Sequence, residues 1–393
     1  MRYGVNYIPR KNWLHSWVDF DENTLKEDLT AIRTLGFDHI RAHLIWSYFQ
    51  PNAGVMSAYC MQNLERFVSV CEEVGIDFFL SLFTGFMSGF YYFPAWIGRD
   101  CSFAMFSGVE EKKAEKFYIQ NIAHVVAHSK AFLGFDLGNE LSCVTGMDRN
   151  ADRKTLDLWQ REMFAICNAC APGKLHNNGV DHQPWFFERS FSRQGLSNAG
   201  NITPLHCWTE FTDVRNRGGL LGEASIYITD YMASLARSYA DDPKRQVWIQ
   251  EFGCSKLWLG EGDTIEEFSE KTLDVIADIP DCYGFTWWCS HDLQNKMIGY
   301  NLLEYDLGIL DSDNKPKPYA KVISAWIQRQ KSSPTVPAVR KKALVYRNDL
   351  DAWDNMERYL KIVQSGMKPT VIQPENVQNA AYLQARGIEK IVE

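Results

Sequence analysis

Apolar, β-branched runs alternate with amphipathic stretches through most of the chain. Tyr3–Ile8, His39–Trp46, Asp77–Thr84, Phe132–Gly138, Lys174–Val180, Thr203–Trp208, Gln246–Gln250 and Cys282–Trp288 read as strands. Between them, apolar positions recur every three to four residues over Glu22–Leu35, Ala58–Val74, Glu111–His128, Thr155–Ala171, Ser225–Ala240, Thr264–Ile279 and Lys317–Gln330, the period of helices buried on one face. Punctuation agrees with period: Asp21 and Asn23 open the first helix, Ser57 opens the second, and Gly36, Gly75 and Pro172-Gly173 follow helix ends. Eight strands in alternation with helices predict an α/β fold, a (β/α)8 TIM barrel over residues 1–330. A proline-bearing linker, 331–341, leads to a small βαβα unit over 342–393, with strands at Ala343–Tyr346 and Thr370–Gln373 and helices at Ala352–Gln364 and Val377–Arg386. That unit is too small to hold much core alone, so it is expected to pack on the barrel or to build a homo-oligomer.

Composition narrows the class of function. With 46% hydrophobic and 23% charged residues the chain can bury a large core, which excludes disorder. Its net charge of −8, with no lysine or arginine run, offers no footprint for nucleic acid or an anionic membrane. No apolar run reaches the roughly 20 residues that span a bilayer, and the start Met1-Arg2-Tyr3-Gly4 lacks the pattern of a secretory signal, so a cytoplasmic location is expected. The 10 cysteines, several within strands and helices, read as buried free thiols. Cys167 and Cys170 form a lone C-x-x-C inside a helix, and His124 and His128 an i, i+4 pair without the glutamate of a zinc motif. No metal or other cofactor is expected. Thirteen tryptophans among 13% aromatics suit the flat faces of sugar rings as well as a core.

In such a barrel, chemistry sits at the C-terminal ends of the strands. Two glutamates close apolar strands there: Glu140 after Phe132–Asn139 and Glu251 after Gln246–Gln250. A carboxylate in that position is costly unless paired, hydrogen-bonded or at work. Two facing one mouth can flank a glycosidic bond as acid and nucleophile, with carboxyl groups about 5 to 5.5 Å apart in retaining enzymes. The alternative is a structural ion pair for each.

Asn139-Glu140 closing strand four and Glu251 within Gln250-Glu251-Phe252-Gly253 closing strand seven resemble the retaining glycoside hydrolases of clan A, most of all family 5. Arg41 matches the arginine such enzymes keep beneath the nucleophile, and His206 and Trp288 match a histidine and a tryptophan lining the family 5 sugar site. Trp46 to Gly54 resembles the W-x-x-x-E-P-x-x-G stretch of clan β-galactosidases, with Gln50 in place of glutamate, and Pro94-Ala95-Trp96 resembles their P-x-W. Two positions depart from family 5. Trp208 stands where a tyrosine usually donates to the nucleophile, and Phe78–Gly85 lacks the usual strand-three histidine.

The resemblance implies that Glu140 is the acid, its pKa raised by the nearby carboxylate, that Asn139 binds the sugar 2-hydroxyl, and that Glu251, held ionised by Arg41, is the nucleophile. Trp46, Trp96, Trp208 and Trp288 are expected at the sugar, with Trp13, Trp17, Trp185 and Trp258 as further stacking walls and His291 and Asp292 on the rim. Bulky loops, including Phe86 and Phe90–Phe93, favour a pocket for one terminal sugar. The expectation is a retaining exo-β-glycosidase without a cofactor, its partner a small oligosaccharide. Likeness to intracellular family 5 β-mannosidases implies a β-mannosidase acting on short substrates such as mannosyl-N-acetylglucosamine. The alternatives are a β-galactosidase of the same clan and a barrel that binds sugar without cleaving it.

Overall fold

The computed structural model describes residues 1–187 and 189–392, and of Asp100 and Cys101 the backbone alone. Eight parallel strands, β1 (Arg2–Asn6), β2 (His39–Ile45), β3 (Asp77–Thr84), β4 (Phe132–Asn139), β5 (Asn177–Gly179), β6 (Thr203–His206), β7 (Val247–Phe252) and β8 (Cys282–Trp287), form one sheet. Its order is β5-β4-β3-β2-β1-β8-β7-β6. The ends of that sheet are stitched just below β5 and β6 by the Asn201 amide donating to the His176 carbonyl at 2.7 Å. The sheet thus curls into a nearly closed (β/α)8 barrel, as the alternation of periods predicts. Strands β2 and β7 are buried along their whole length, so the polar members of β2 (His39, Arg41, His43) and of β7 (Gln250, Glu251) are buried as well.

The outer ring is α1 (Glu22–Thr34), α2 (Ala58–Val74), α3 (Val109–Val126), α4 (Arg153–Cys170), α5 (Glu223–Ser238), α6 (Ile265–Ala277) and α7 (Pro318–Ser332). Side-chain oxygens of Asp21, Ser57, Asp152 and Thr264 cap the first turns of α1, α2, α4 and α6. Between β5 and β6 two short helices, Gln183–Phe187 and Arg193–Asn198, replace a long one. After β3 the chain forms a two-stranded ribbon, Phe86–Met87 with Phe90–Tyr91. No helix among the described residues is long and apolar enough to cross a membrane.

Beyond α7, β9 (Lys342–Val345), α8 (Ala352–Gln364), β10 (Pro369–Ile372), α9 (Ala380–Ala385) and β11 (Lys390–Val392) form a three-stranded parallel sheet ordered β10-β9-β11. The third strand lay unread in the sequence because three half-exposed residues carry no periodicity. This unit packs on the barrel. Arg340 spans Asp230 of α5 at 3.1 Å and Asp278 at 3.0 Å, Tyr359 donates to Asp230 at 2.9 Å, and the Val371 amide donates to Ser234 at 2.6 Å. Helix α5 is therefore buried nearly all round, between the barrel strands and the added sheet.

Candidate active site

Strand register sets a polar layer near the top of the barrel. Asn6 stands opposite Arg41, Ser81 opposite Asp136, and His206 opposite Glu251. Arg41, with no exposure, is the hub: it donates to Asp136 at 2.8 Å, Glu251 at 2.6 Å, Asn6 at 3.0 Å and Asn139 at 3.1 Å. Asp136 also accepts from Ser81 at 2.7 Å and from the Gly179 amide at 2.7 Å. A Cβ on Gly179 would lie 2.6 Å from Gln250 and 3.0 Å from Arg41, so only glycine lets β5 approach this layer.

Above it the two glutamates meet at one histidine. The Nδ1 of His206 lies 3.0 Å from Glu140 Oε1 and 3.3 Å from Glu251 Oε2, while its Nε2 lies 2.9 Å from the amide oxygen of Gln250. Gln250 in turn donates to Asn177 at 2.9 Å. An amide oxygen only accepts, so Nε2 carries the proton and Nδ1 presents a lone pair to Glu140. Burial disfavours the imidazolium and keeps this tautomer neutral.

The carboxyl of Glu140 is pushed up to about 8, first by burial and then by the charge of Asp181. The expected cause, the partner glutamate, is thus replaced by desolvation and by a residue of the loop after β5. Asp181 is held in place by Ser142 at 2.7 Å, by the Gln183 amide at 3.0 Å and by the Cys143 thiol at 3.3 Å. Glu140 itself sits at φ 47°, ψ 43°, a left-handed conformation a glutamate rarely adopts. Strain of this kind persists where surrounding structure imposes it, here through the Glu140 amide donating to the Gly179 carbonyl at 2.8 Å. Burial also pushes Glu251 up, opposed by the Arg41 guanidinium. With the guanidinium at 2.6 Å and the Trp208 indole N–H donating at 3.3 Å, Glu251 is where the pair's negative charge rests. The indole thus fills the role left open by the missing tyrosine.

The two glutamates line a cavity of about 390 Å³ together with Trp208, Phe211, Trp258, Trp288, Phe86, Met87 and Ser88. Trp208, Phe211 and Trp258 pack edge to face, with ring centroids 5.7 to 6.1 Å apart. The ribbon and the loop after β8 meet at the cavity, where Ser88 donates to Glu304. Outside the lining the two form a seam: Tyr92 meets Tyr300 of the loop after β8 at 3.3 Å between hydroxyls, and Tyr300 packs on Trp13 at 4.5 Å.

Of the residues expected at the sugar, the structure gathers Glu140, Glu251, Asn139, His206, Trp208 and Trp288 at the cavity, with Arg41 beneath them. Trp46 and Trp96 lie elsewhere. Trp46 is fully buried, donates to Gln50 at 2.7 Å and packs on Phe83, and Trp96 donates to the Gln50 carbonyl at 3.1 Å. The W-x-x-x-Q stretch is thus a packed layer behind the mouth. Trp17 and Trp185 are likewise buried packing, and Trp13 backs the seam, so among the further tryptophans only Trp258 reaches the cavity. His291 is buried against Asn314 at 3.0 Å, and Asp292 is paired with Lys317 at 2.6 Å. Asn139 accepts from Arg41 and donates to the Phe86 carbonyl at 3.2 Å. Sequence reasoning missed Asp181, His182, Gln183, Asn301 and Glu304, which line the cavity from loops. As to metals, the ligand atoms of Glu140, His206 and Glu251 lie within 4.8 Å of one another, but Arg41 already supplies the positive charge there.

The chain matches no family model and no curated protein. It is similar to solved structures along its whole length. One is a glutamate-to-alanine variant of GH5_18 from Streptomyces cattleya in complex with Manβ1-4GlcNAc, at 29% identity and TM-score 0.94, covering 100% of this chain and 98% of that one. Another is a glutamate-to-alanine variant of GH5_18 from Bifidobacterium longum subsp. longum with the same disaccharide, at 27% identity and TM-score 0.93, covering 100% and 95%. An exo-β-1,4-mannosidase from an Opitutaceae bacterium, at 21% identity and TM-score 0.79 over 95% of this chain and 69% of that one, shares the fold. Barrel, paired glutamates and these likenesses agree: the chain is a glycoside hydrolase, similar along its whole length to the GH5_18 enzymes of family 5.

Proposed function

We propose that the protein is a retaining exo-β-mannosidase that releases mannose from short β-mannosides such as mannosyl-N-acetylglucosamine. The observation that carries the retaining mechanism is the closeness of the two carboxyl groups, whose oxygens lie within 4.8 Å of one another through His206. Retaining enzymes place them about 5 to 5.5 Å apart, whereas inverting ones leave about 6.5 to 9.5 Å for a water. The mannoside rests on the whole-length relatives, two of which hold Manβ1-4GlcNAc.

On this reading Glu140, neutral at rest, protonates the oxygen leaving the anomeric carbon, while Glu251 attacks that carbon from the opposite face. The carboxylate of Glu140 then takes a proton from the water that hydrolyses the glycosyl-enzyme, and the resting state returns. Neutral His206 accepts from protonated Glu140, so the proton stays on the acid until a better acceptor, the glycosidic oxygen, displaces the imidazole. Arg41 and Trp208 hold Glu251 in the ionised form that attacks. The meeting of ribbon and β8 loop at the cavity, through Ser88 and Glu304, supports removal of a single terminal sugar.

Proton NMR of mannosyl-N-acetylglucosamine hydrolysis is the test. The β-anomer of mannose is expected first, with no turnover by Glu251→Gln. Initial α-mannose would exclude the retaining mechanism, and cleavage of β-galactosides or β-glucosides in preference would exclude the mannosidase.

A further inference from the structure

One carboxylate in the cavity has no part in the chemistry above. Glu304 lies on the turn Leu302–Tyr305 after β8, within the same lining as Glu140 and Glu251. It accepts a hydrogen bond from Ser88 of the ribbon, while burial and the Glu140 charge push it up to about 7. None of the groups acting on it is a cation. A carboxylate offers about four lone-pair sites, and one hydroxyl occupies one of them. Its remaining acceptors face a cavity whose natural visitors bring hydroxyl donors.

Position decides which visitor's hydroxyls it meets. The acid Glu140 faces the leaving oxygen, and the side of the cavity formed by the loops after β5 and β6, with His182, Gln183 and the half-exposed Phe211, is where a leaving sugar has room. On the reading above, a terminal sugar with its anomeric carbon at Glu251 would have its far carbons toward the wall of ribbon and β8 loop. Ser88 and Glu304 stand on that wall, joined to each other across the seam. We propose that Glu304 recognises the terminal sugar, accepting hydrogen bonds from ring hydroxyls remote from the anomeric carbon. It thereby selects glycons with a free non-reducing end. This rests on the β-mannosidase reading above.

The test compares wild type with Glu304→Gln on nitrophenyl β-mannoside and on mannosyl-N-acetylglucosamine. Hydrogen bonds to a charged acceptor predict a fall in kcat/KM of about tenfold or more, by the same factor on both substrates. A loss confined to the disaccharide would put Glu304 at the leaving sugar and overturn the proposal, as would a change within twofold on both. A panel of 3-, 4- and 6-deoxy nitrophenyl mannosides separates contact from structural damage. At least one deoxygenation is expected to cost wild type about tenfold and to cost Glu304→Gln much less. Equal losses in both proteins overturn the proposal whatever the variant's stability. A wild-type chain that cleaves no β-mannoside brings down the mannosidase reading and the proposal with it, whereas an active wild type with an indifferent variant brings down the proposal alone.

Discussion

Glu140 and Glu251 share a histidine and divide a charge unequally, and the division sets the pH response. Glu140, pushed up to about 8, works as an acid only while protonated, so kcat/KM should fall as pH rises through about 8. A pH profile checks this, and the expected basic limb disappears in Glu140→Gln together with most of the activity. Trp208→Phe keeps an aromatic wall but removes the donor to Glu251 at 3.3 Å. One hydrogen bond to a charged group is worth about 1.5 to 3 kcal/mol, so kcat should drop roughly ten- to a hundredfold with KM little changed, as steady-state kinetics would register. At this scale the sequence disclosed Glu140 and Glu251, because a charge closing a buried strand stands out against its neighbours, whereas Arg41, inside β2, was legible only through the family resemblance. It could not disclose Asp181 or Glu304, polar residues in polar loops whose place at the cavity depends on how those loops fold back. The tryptophans misled for a different reason: an indole suits a sugar face and a core equally, and Trp46 and Trp185 went to the core.

Elements were legible wherever period and punctuation agreed. The seven outer helices fall within about two residues of their expected limits, since each has an apolar face and most have a polar cap. Strand five was shorter than expected, three residues: Asn177 and Gly179 pair with β4 across a register shift and also serve the polar layer. The helical periods of α3 and α4 concealed one buried acid. Glu115 of α3 is fully buried, accepts from Trp159 of α4 at 2.9 Å, and is pushed by desolvation well above the usual carboxylate range. The folded state therefore holds a proton that the unfolded chain releases near its ordinary pKa of about 4.3, so this residue costs stability increasingly as pH rises above that value. Glu115→Gln should be more stable than wild type at pH 7, by a margin that shrinks toward pH 4, as urea unfolding at several pH values would show.

For the whole molecule, the C-terminal unit acts as a cover for α5. Its chief polar fastening is Arg340, and Arg340→Leu would leave the buried Asp230 with Tyr359 as donor but no directly paired cation. Breaking such a pair costs about 3 to 5 kcal/mol, which a shift in the denaturation midpoint would reveal while KM for substrate stays unchanged. The alternation of strands and helices foretold the barrel, and the linker foretold a separate unit, but the side on which that unit sits was hidden because helix α5 looks amphipathic until both its faces are counted as buried. The meeting of ribbon and β8 loop at the cavity, through Ser88 and Glu304, also bears on the order of events. A cavity walled at one end has a single exit, and on the proposed reaction the leaving sugar stands between the bound mannosyl group and that exit. The aglycone must depart before water enters, and mannose can leave only last. High concentrations of a sugar resembling the aglycone would then intercept the glycosyl-enzyme, turning a hydrolase into a synthetic catalyst that rebuilds the bond it breaks.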